Sequence, residues 1–256
     1  MKCERIAHRG ASSEAPENTL PAIEIAVEKY RVDRVEVDIR LTKDRIPVIF
    51  HDSAMDRITN GSGSLASYTL AELKELDAGF WFDPEKKREY PYRKKGVTIP
   101  TLEEMLTQFP TTSFCLEIKE IHEEAVPPIL KVMHNVKRTG SLIVGSFKGK
   151  IVRELRKSAA EVAQSFLSTD EVKRAYLLYK LGFKKFSCGA RFASLPMKQG
   201  NFKLDDPRWI EFLHHNGFKV FYWTVNDGEE MKRLIQNGAD GILSDFPDRL
   251  NQILSQ

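Results

Sequence analysis

Cysteine is scarce in this chain of 256 residues: Cys3, Cys115 and Cys188 are odd in number and lack metal-ligand spacing, which speaks against a disulfide framework or a thiolate zinc site. Each lies in or beside an apolar stretch that reads as strand, so all three are expected as buried free thiols. Long hydrophobic runs are missing as well. The opening MKCERIAHRG has no apolar segment of about 7–15 residues behind a basic start, and no run of about 18 apolar residues follows. The expectation is a soluble, cytoplasmic chain without membrane insertion. Charge of one sign is not in excess, since the net charge is only +3, which argues against bulk nucleic-acid binding and against an acidic tail. Neither an internal repeat nor a low-complexity tract is present. What remains is an ordinary globular composition, 41% hydrophobic and 29% charged, long enough for a sizeable core and expected as one domain over residues 1–256.

Strand-like and helix-like runs alternate along it. RIAH (5–8), NTLPAIEIAVEKY (18–30) and RVEVDIRL (34–41) read as a βαβ unit, with Asn18 as helix cap and Leu20, Ile23, Val27 and Tyr30 at helical spacing. Further strands are expected at 113–119, 141–147, 162–167, 184–190, 219–225 and 240–245, and helices at 98–109, 148–158, 170–182, 207–217 and 227–238. IPVIFHD (46–52) follows RVEVDIRL too closely for a crossover helix, so it should fold back as an antiparallel hairpin through Lys43-Asp44-Arg45-Ile46 and bring His51 roughly opposite Asp38. Eight parallel strands then remain, which suits a TIM (β/α)8 barrel, with an open doubly wound sheet as the competing fold. Residues 53–97 interrupt the rhythm and read as an insertion after the hairpin. Its segment 86–96 carries six Lys or Arg, as a solvated loop does; an electrostatic funnel for an anionic substrate or lipid surface is the alternative.

VEVDI (35–39) alternates without exception, placing Val35, Val37 and Ile39 on one strand face and Glu36 and Asp38 on the other. In a parallel barrel those carboxylates would point into the mouth, where two close anions require a cation. FCLEIK (114–119) repeats the design and adds Glu117. Three carboxylates without a Cys or His ligand set suit a hard divalent cation, Mg²⁺ or Ca²⁺, with Mn²⁺ also compatible; salt bridges to Arg40, Lys119 and Arg9 would account for them equally well. His8 and His51 each end a short apolar strand, which makes an acid–base pair plausible, and Arg9 is a fork-shaped cation suited to phosphate. His122, His134, His214 and His215 are expected to face solvent.

IAHRGASSEAPENT, VEVDIRLTKDRIPVIFHD, LEIK, WTVND and ADGILSDFPD, in this order, resemble the glycerophosphodiester phosphodiesterase family nearly from end to end, as do LDAGFWF and IPTLEEML. The resemblance implies a TIM barrel whose metal is held by Glu36, Asp38 and Glu117, with His8 as base and His51 as acid. It also implies Arg9 and Lys119 as phosphate ligands and Trp223 packed on the glycerol, and Glu17 and Asn18 match the family's EN pair. Phe80 and Trp81 either line the leaving-group side or anchor an exposed loop. The reaction implied is metal-dependent hydrolysis of a small glycerophosphodiester to sn-glycerol 3-phosphate and an alcohol, by water or by the glycerol 2-hydroxyl. A lysophospholipid-directed phosphodiesterase and a non-catalytic barrel that binds a phosphoryl ligand are the alternatives; oligomeric state is left open.

Overall fold

The strict alternation of VEVDI is a folded fact: Glu36 and Asp38 point into a barrel whose outer wall carries Val35, Val37 and Ile39. In a computed structural model, which describes residues 3–159 and 161–255, the chain opens with β1 (Glu4–His8), α1 (Leu20–Glu24, continued by a π turn at Ile25–Lys29), β2 (Arg34–Leu41) and β3 (Pro47–Ile49). Then come α2 (Leu70–Lys74), α3 (Leu102–Gln108), β4 (Phe114–Ile118), α4 (Val126–Asn135), β5 (Leu142–Gly145), α5 (Gly149–Ser158), β6 (Gln164–Ser165) and α6 (Thr169–Lys180). The last third holds β7 (Phe192–Leu195), a small hairpin β8 (Lys198–Gln199) and β9 (Phe202–Lys203), α7 (Pro207–His215), β10 (Lys219–Tyr222), α8 (Gly228–Gln236), β11 (Gly241–Ser244) and α9 (Pro247–Leu254).

Eight parallel strands run in the order β6-β5-β4-β2-β1-β11-β10-β7, and β3 lies antiparallel on β2. The seam between β6 and β7 is closed by a single bridge, Phe166 to Phe192, and by the N–H groups of Arg191 and Leu167, which donate to Ser165 and Phe192 carbonyls at 3.2 and 2.8 Å. The fold is therefore the expected TIM barrel. Ile6, Cys115, Ile143, Phe166, Phe192, Phe221 and Leu243 fill its interior, while Phe114, Leu116 and Ile118 join the β2 aliphatics under the helices. Burying each large aliphatic or aromatic side chain contributes roughly 1.5–3 kcal/mol. No helix among the described residues is long and apolar enough to cross a membrane.

The β2–β3 hairpin turns where expected, with Arg45 in left-handed backbone (φ 62°) and its N–H on the Thr42 carbonyl at 2.9 Å. Phe50, not His51, stands opposite Asp38, through a 2.9 Å bond from the Phe50 N–H to the Asp38 carbonyl. After the hairpin, Met55, Leu65, Leu73, Ala78 and Val97 pack with Val48, Phe50 and Ile99, so the inserted stretch shares its core with the hairpin.

Several expectations are corrected. Residues 184–190 form no strand; the ladder begins at Phe192. Phe186 and Ala190 are buried, as strand-like alternation suggests, but the Phe186 N–H donates to Asn216 Oδ1 at 2.7 Å and its ring packs on Phe218. Helical-layer contacts thus mimic the strand period. Asn18 does not cap α1; Thr19 stands at the N-cap without a side-chain cap bond, and Asn18 turns into the barrel mouth. Cys188 is only half-buried, whereas Cys3 and Cys115 are buried. His214 is tied to Asp240 at 2.7 Å instead of standing free in solvent. Helices α4 and α9 extend the pattern; both begin with proline in the first turn, where its missing N–H costs nothing.

Candidate active site

β2 and β4 pair in parallel with Asp38 beside Glu117 and Glu36 beside Cys115. That register gathers oxygen atoms of Glu36, Asp38 and Glu117 within 4.8 Å of one another. Lys119 reaches Asp38 at 3.1 Å and Glu117 at 2.7 Å, and Arg9 Nε stands 3.2 Å from Asp38. Arg40, by contrast, leaves the cluster to donate to the His51 carbonyl at 2.8 Å. Burial opposes charge on Asp38, but Lys119 and Arg9 outweigh it and hold this carboxyl below its usual range. Glu36 goes the other way: burial, then the neighbouring Asp38, push it well up. Burial also carries Glu117 upward against the pull of Lys119. Two resident cations therefore serve Asp38 well and Glu36 poorly, and an all-oxygen donor set fits one hard divalent ion.

The HRG segment builds the turn above β1. Arg9 and Gly10 both have positive φ, 57° and 84°. A Cβ on Gly10 would stand 2.7 Å from the Ala22 carbonyl carbon, so glycine is what lets this turn lie against α1. The Arg9 N–H donates to Glu36 Oε2 at 3.2 Å and its Nη1 to Glu17 Oε1 at 2.8 Å. His8 donates from Nδ1 to Asp245 Oδ1 at 2.7 Å, leaving Nε2 in the cavity, 3.9 Å from Glu36. Asp245 is itself held by the Ser12 hydroxyl at 3.0 Å and the Asn226 amide at 2.7 Å. Burial works to lower the pKa of His8, but the Asp245 bond and Glu36 move it net upward. Asp245, against its own burial, is brought down to about 2, chiefly by that His8 bond.

His51 is built in the same way. Its Nδ1 donates to Asp52 Oδ1 at 2.6 Å, and Asp52 Oδ2 receives Arg57 Nε at 2.6 Å. Arg57 grips Glu17 with both Nη atoms, at 2.8 and 2.7 Å. Asn18, in left-handed backbone at φ 59°, donates its amide to Asp38 Oδ2 at 2.8 Å and accepts the Asp38 N–H at 3.1 Å.

One cavity of about 260 Å³ collects these groups: His8, Arg9, Glu36, His51, Glu117 and Lys119 on one side, and Phe147, Phe166, Leu167, Val172, Leu195 and Trp223 on the other. Trp223 meets Phe147 edge-on at 5.8 Å. Glu17, Asn18 and Asp38 stand behind this lining: Glu17 and Asp38 pair with Arg9, and Asn18 bonds Asp38. Phe80 and Trp81 are not part of it; with Tyr90 they surround Arg93, whose guanidinium lies 3.8–5.0 Å from the three ring centres, so they anchor the inserted loop. Asp245, Asn226 and Arg57 join the site without being among the residues expected from sequence. Asp245 directly follows the last strand, at the barrel face where polar residues carry meaning, whereas Arg57 sits in a loop without periodicity.

A model of the glycerophosphoryl diester phosphodiesterase family matches residues 8–249. The chain is similar to YhdW of Bacillus subtilis (strain 168), at 33% identity over 95% of this chain and 94% of the relative. It is 32% identical to a glycerophosphodiester phosphodiesterase of Caldanaerobacter subterraneus subsp. tengcongensis, over 98% of this chain and 97% of that one. Among solved structures, an Oleispira antarctica phosphodiesterase in complex with the product sn-glycerol-3-phosphate matches with a TM-score of 0.79 at 29% identity, covering 99% of this chain and 97% of the other.

Proposed function

The chain belongs to the glycerophosphoryl diester phosphodiesterase family, and we propose that its barrel mouth hydrolyses glycerophosphodiesters to sn-glycerol 3-phosphate and an alcohol with the help of one divalent cation. One observation carries this reading: two histidines, each held at Nδ1 by a carboxylate, line the same cavity as Arg9, Lys119 and two of three clustered carboxylates.

Glu36, Asp38 and Glu117 would hold Mg²⁺, Ca²⁺ or Mn²⁺ through oxygen. When bound, the ion neutralises charge that develops on the phosphoryl oxygens. Arg9 and Lys119, which border the carboxylate cluster at Asp38, bind the non-bridging oxygens, which orients the phosphorus for attack. His8 Nε2, free because Nδ1 is committed to Asp245, takes the proton of the attacking hydroxyl. The new P–O bond forms as the bond to the alcohol breaks, and His51 donates the proton that the departing alkoxide needs. Trp223 packs on the glycerol, and the uncharged wall around Phe147 and Phe166 receives the alcohol.

Phosphorus NMR of glycerophosphocholine hydrolysis tests this. Release of sn-glycerol 3-phosphate, its loss on exhaustive EDTA treatment and its return with added Mg²⁺, Ca²⁺ or Mn²⁺ are the expected results. His8→Ala should fold normally and lose activity by about 100-fold or more. A transient cyclic phosphate would identify the glycerol 2-hydroxyl as nucleophile. Activity that survives EDTA or Glu36→Ala would refute the metal, and preferential turnover of lysophosphatidylcholine would move the substrate class to lysophospholipids.

A further inference from the structure

Arg57 lies outside the cavity, half in solvent, on the inserted stretch, and touches none of the groups assigned to the reaction. It is nonetheless bonded to Asp52 and Glu17, the carboxylates that hold His51 and Arg9. Its Nε is 2.6 Å from Asp52 Oδ2, while Asp52 Oδ1 holds His51; its Nη pair forks onto Glu17, whose Oε1 also takes Arg9 Nη1 at 2.8 Å. A surface arginine that meets a single acid is worth little. This one closes a continuous chain, His51–Asp52–Arg57–Glu17–Arg9–Asp38, that spans the acid–base side and the phosphate side of the mouth.

The backbone under Arg57 is built to hold it. Met55 and Thr59 are fully buried. The Thr59 hydroxyl donates to the Met55 carbonyl at 3.0 Å and accepts the Gly61 N–H at 2.9 Å, and the Met55 N–H reaches the Gly63 carbonyl at 2.9 Å. A guanidinium on a locked turn can fix two carboxylates at once because its donors form a rigid fork; an ammonium cannot.

We propose that Arg57 is a positioning residue that sets the His51 imidazole and the Arg9 guanidinium in mutual register, so that the insertion acts on the reaction through Asp52 and Glu17. The proposal rests on the hydrolase reading above, and each arm it makes has its own kinetic signature. Asp52→Asn should lower kcat with little change in KM, because it loosens the proton donor. Glu17→Gln should raise KM more than it lowers kcat, because it loosens the phosphate ligand. Arg57→Met should do both, costing about 10–100-fold in kcat/KM, and Arg57→Lys should recover only part of that loss. In the Asp52→Asn/Glu17→Gln background, Arg57→Met should cost less than about twofold more, since the groups act as one unit.

Two readouts do not depend on turnover. The downfield proton NMR signal of His51 Nδ1–H should shift or vanish in Arg57→Met, and calorimetric affinity for sn-glycerol 3-phosphate should fall. A wild-type protein that turns over no glycerophosphodiester would refute the hydrolase reading, and these two measurements would still decide the role of Arg57. Arg57→Met with wild-type kcat, KM, proton signal and affinity would overturn it, as would losses that only track a fall in the folded fraction seen by circular dichroism. Should Arg57→Met fail to fold, Arg57→Lys is judged by the same measurements.

Discussion

Asn18 shows how much of a barrel mouth can depend on one amide. Both ends of its side chain are spent on Asp38, so the residue fixes the orientation of a carboxylate that is 1% exposed. Asn18→Ala should leave the Asp38 N–H unpaired in the interior, at a cost of about 1–3 kcal/mol, readable by urea denaturation. The same variant should weaken divalent-cation affinity by about 10–100-fold in calorimetry, as loss of a ligand's supporting hydrogen bond does. Affinity equal to wild type would make Asn18 a purely structural residue. Helix capping is the cheaper sequence-level account of an Asn before Thr-Leu-Pro, and only the fold distinguishes the two: Thr19 takes the cap position, and the positive φ of Asn18 aims its amide inward.

At the scale of elements, α6 ties the wall of the cavity to the barrel seam. Ser168 and Glu171 form a capping box at its start, while the Glu171 carboxylate also receives both Nη atoms of Arg156 from α5. Arg156 in turn donates to Ser165 Oγ at 2.7 Å and to the Phe166 carbonyl at 2.9 Å. Burial opposes charge on Glu171, yet the Arg156 and Ser168 bonds keep its carboxyl below the ordinary range. Glu171→Ala removes the box and takes both carboxylate contacts from Arg156, and should cost about 1–3 kcal/mol in urea denaturation. A change within a few tenths of that scale would mean the pairing is solvent-screened. This seam is also where sequence patterning is least informative. β2 and β4 are legible because a period of two separates inward carboxylates from outward aliphatics over five residues. β7 is not, because Phe186 and Ala190 keep the same period while packing on the helical layer, and no local signal separates that from a ladder. The pairings that hold the histidines fall between these cases. Asp52 adjoins His51 in the chain, but Asp245 meets His8 from 237 residues away, and Arg57 reaches Glu17 across 40; contacts of that kind have no period to read.

For the whole molecule, the ionisable groups of the mouth impose a pH profile on stability. Asp52 and Asp245 are each held at about 2, below the roughly 3.9 of an unfolded aspartate. Their contribution is complete above that unfolded value and is lost as pH falls through about 2. Glu36 and Glu117 have the opposite sign, since carboxyls raised by burial bind protons more tightly folded than unfolded, so metal-free stability declines as pH rises above about 4.3. Calorimetric melting in EDTA should therefore peak between about pH 4 and 4.5, fall steeply below that, and lose most of its decline toward higher pH when the divalent cation is added. A flat profile between about pH 5 and 8 in EDTA would contradict the strained carboxylate cluster. The lining of the cavity divides along the chain in a related way. Each of its ionisable members, from His8 to Lys119, comes from the first half of the barrel, and every lining residue from Gly145 to Leu243 is uncharged. On the proposed reaction, proton transfer and alcohol binding fall to separate stretches of the chain, so that a new alcohol would be accommodated by changing size and shape at Phe147, Val172 or Leu195 while each proton-carrying group stays where it is.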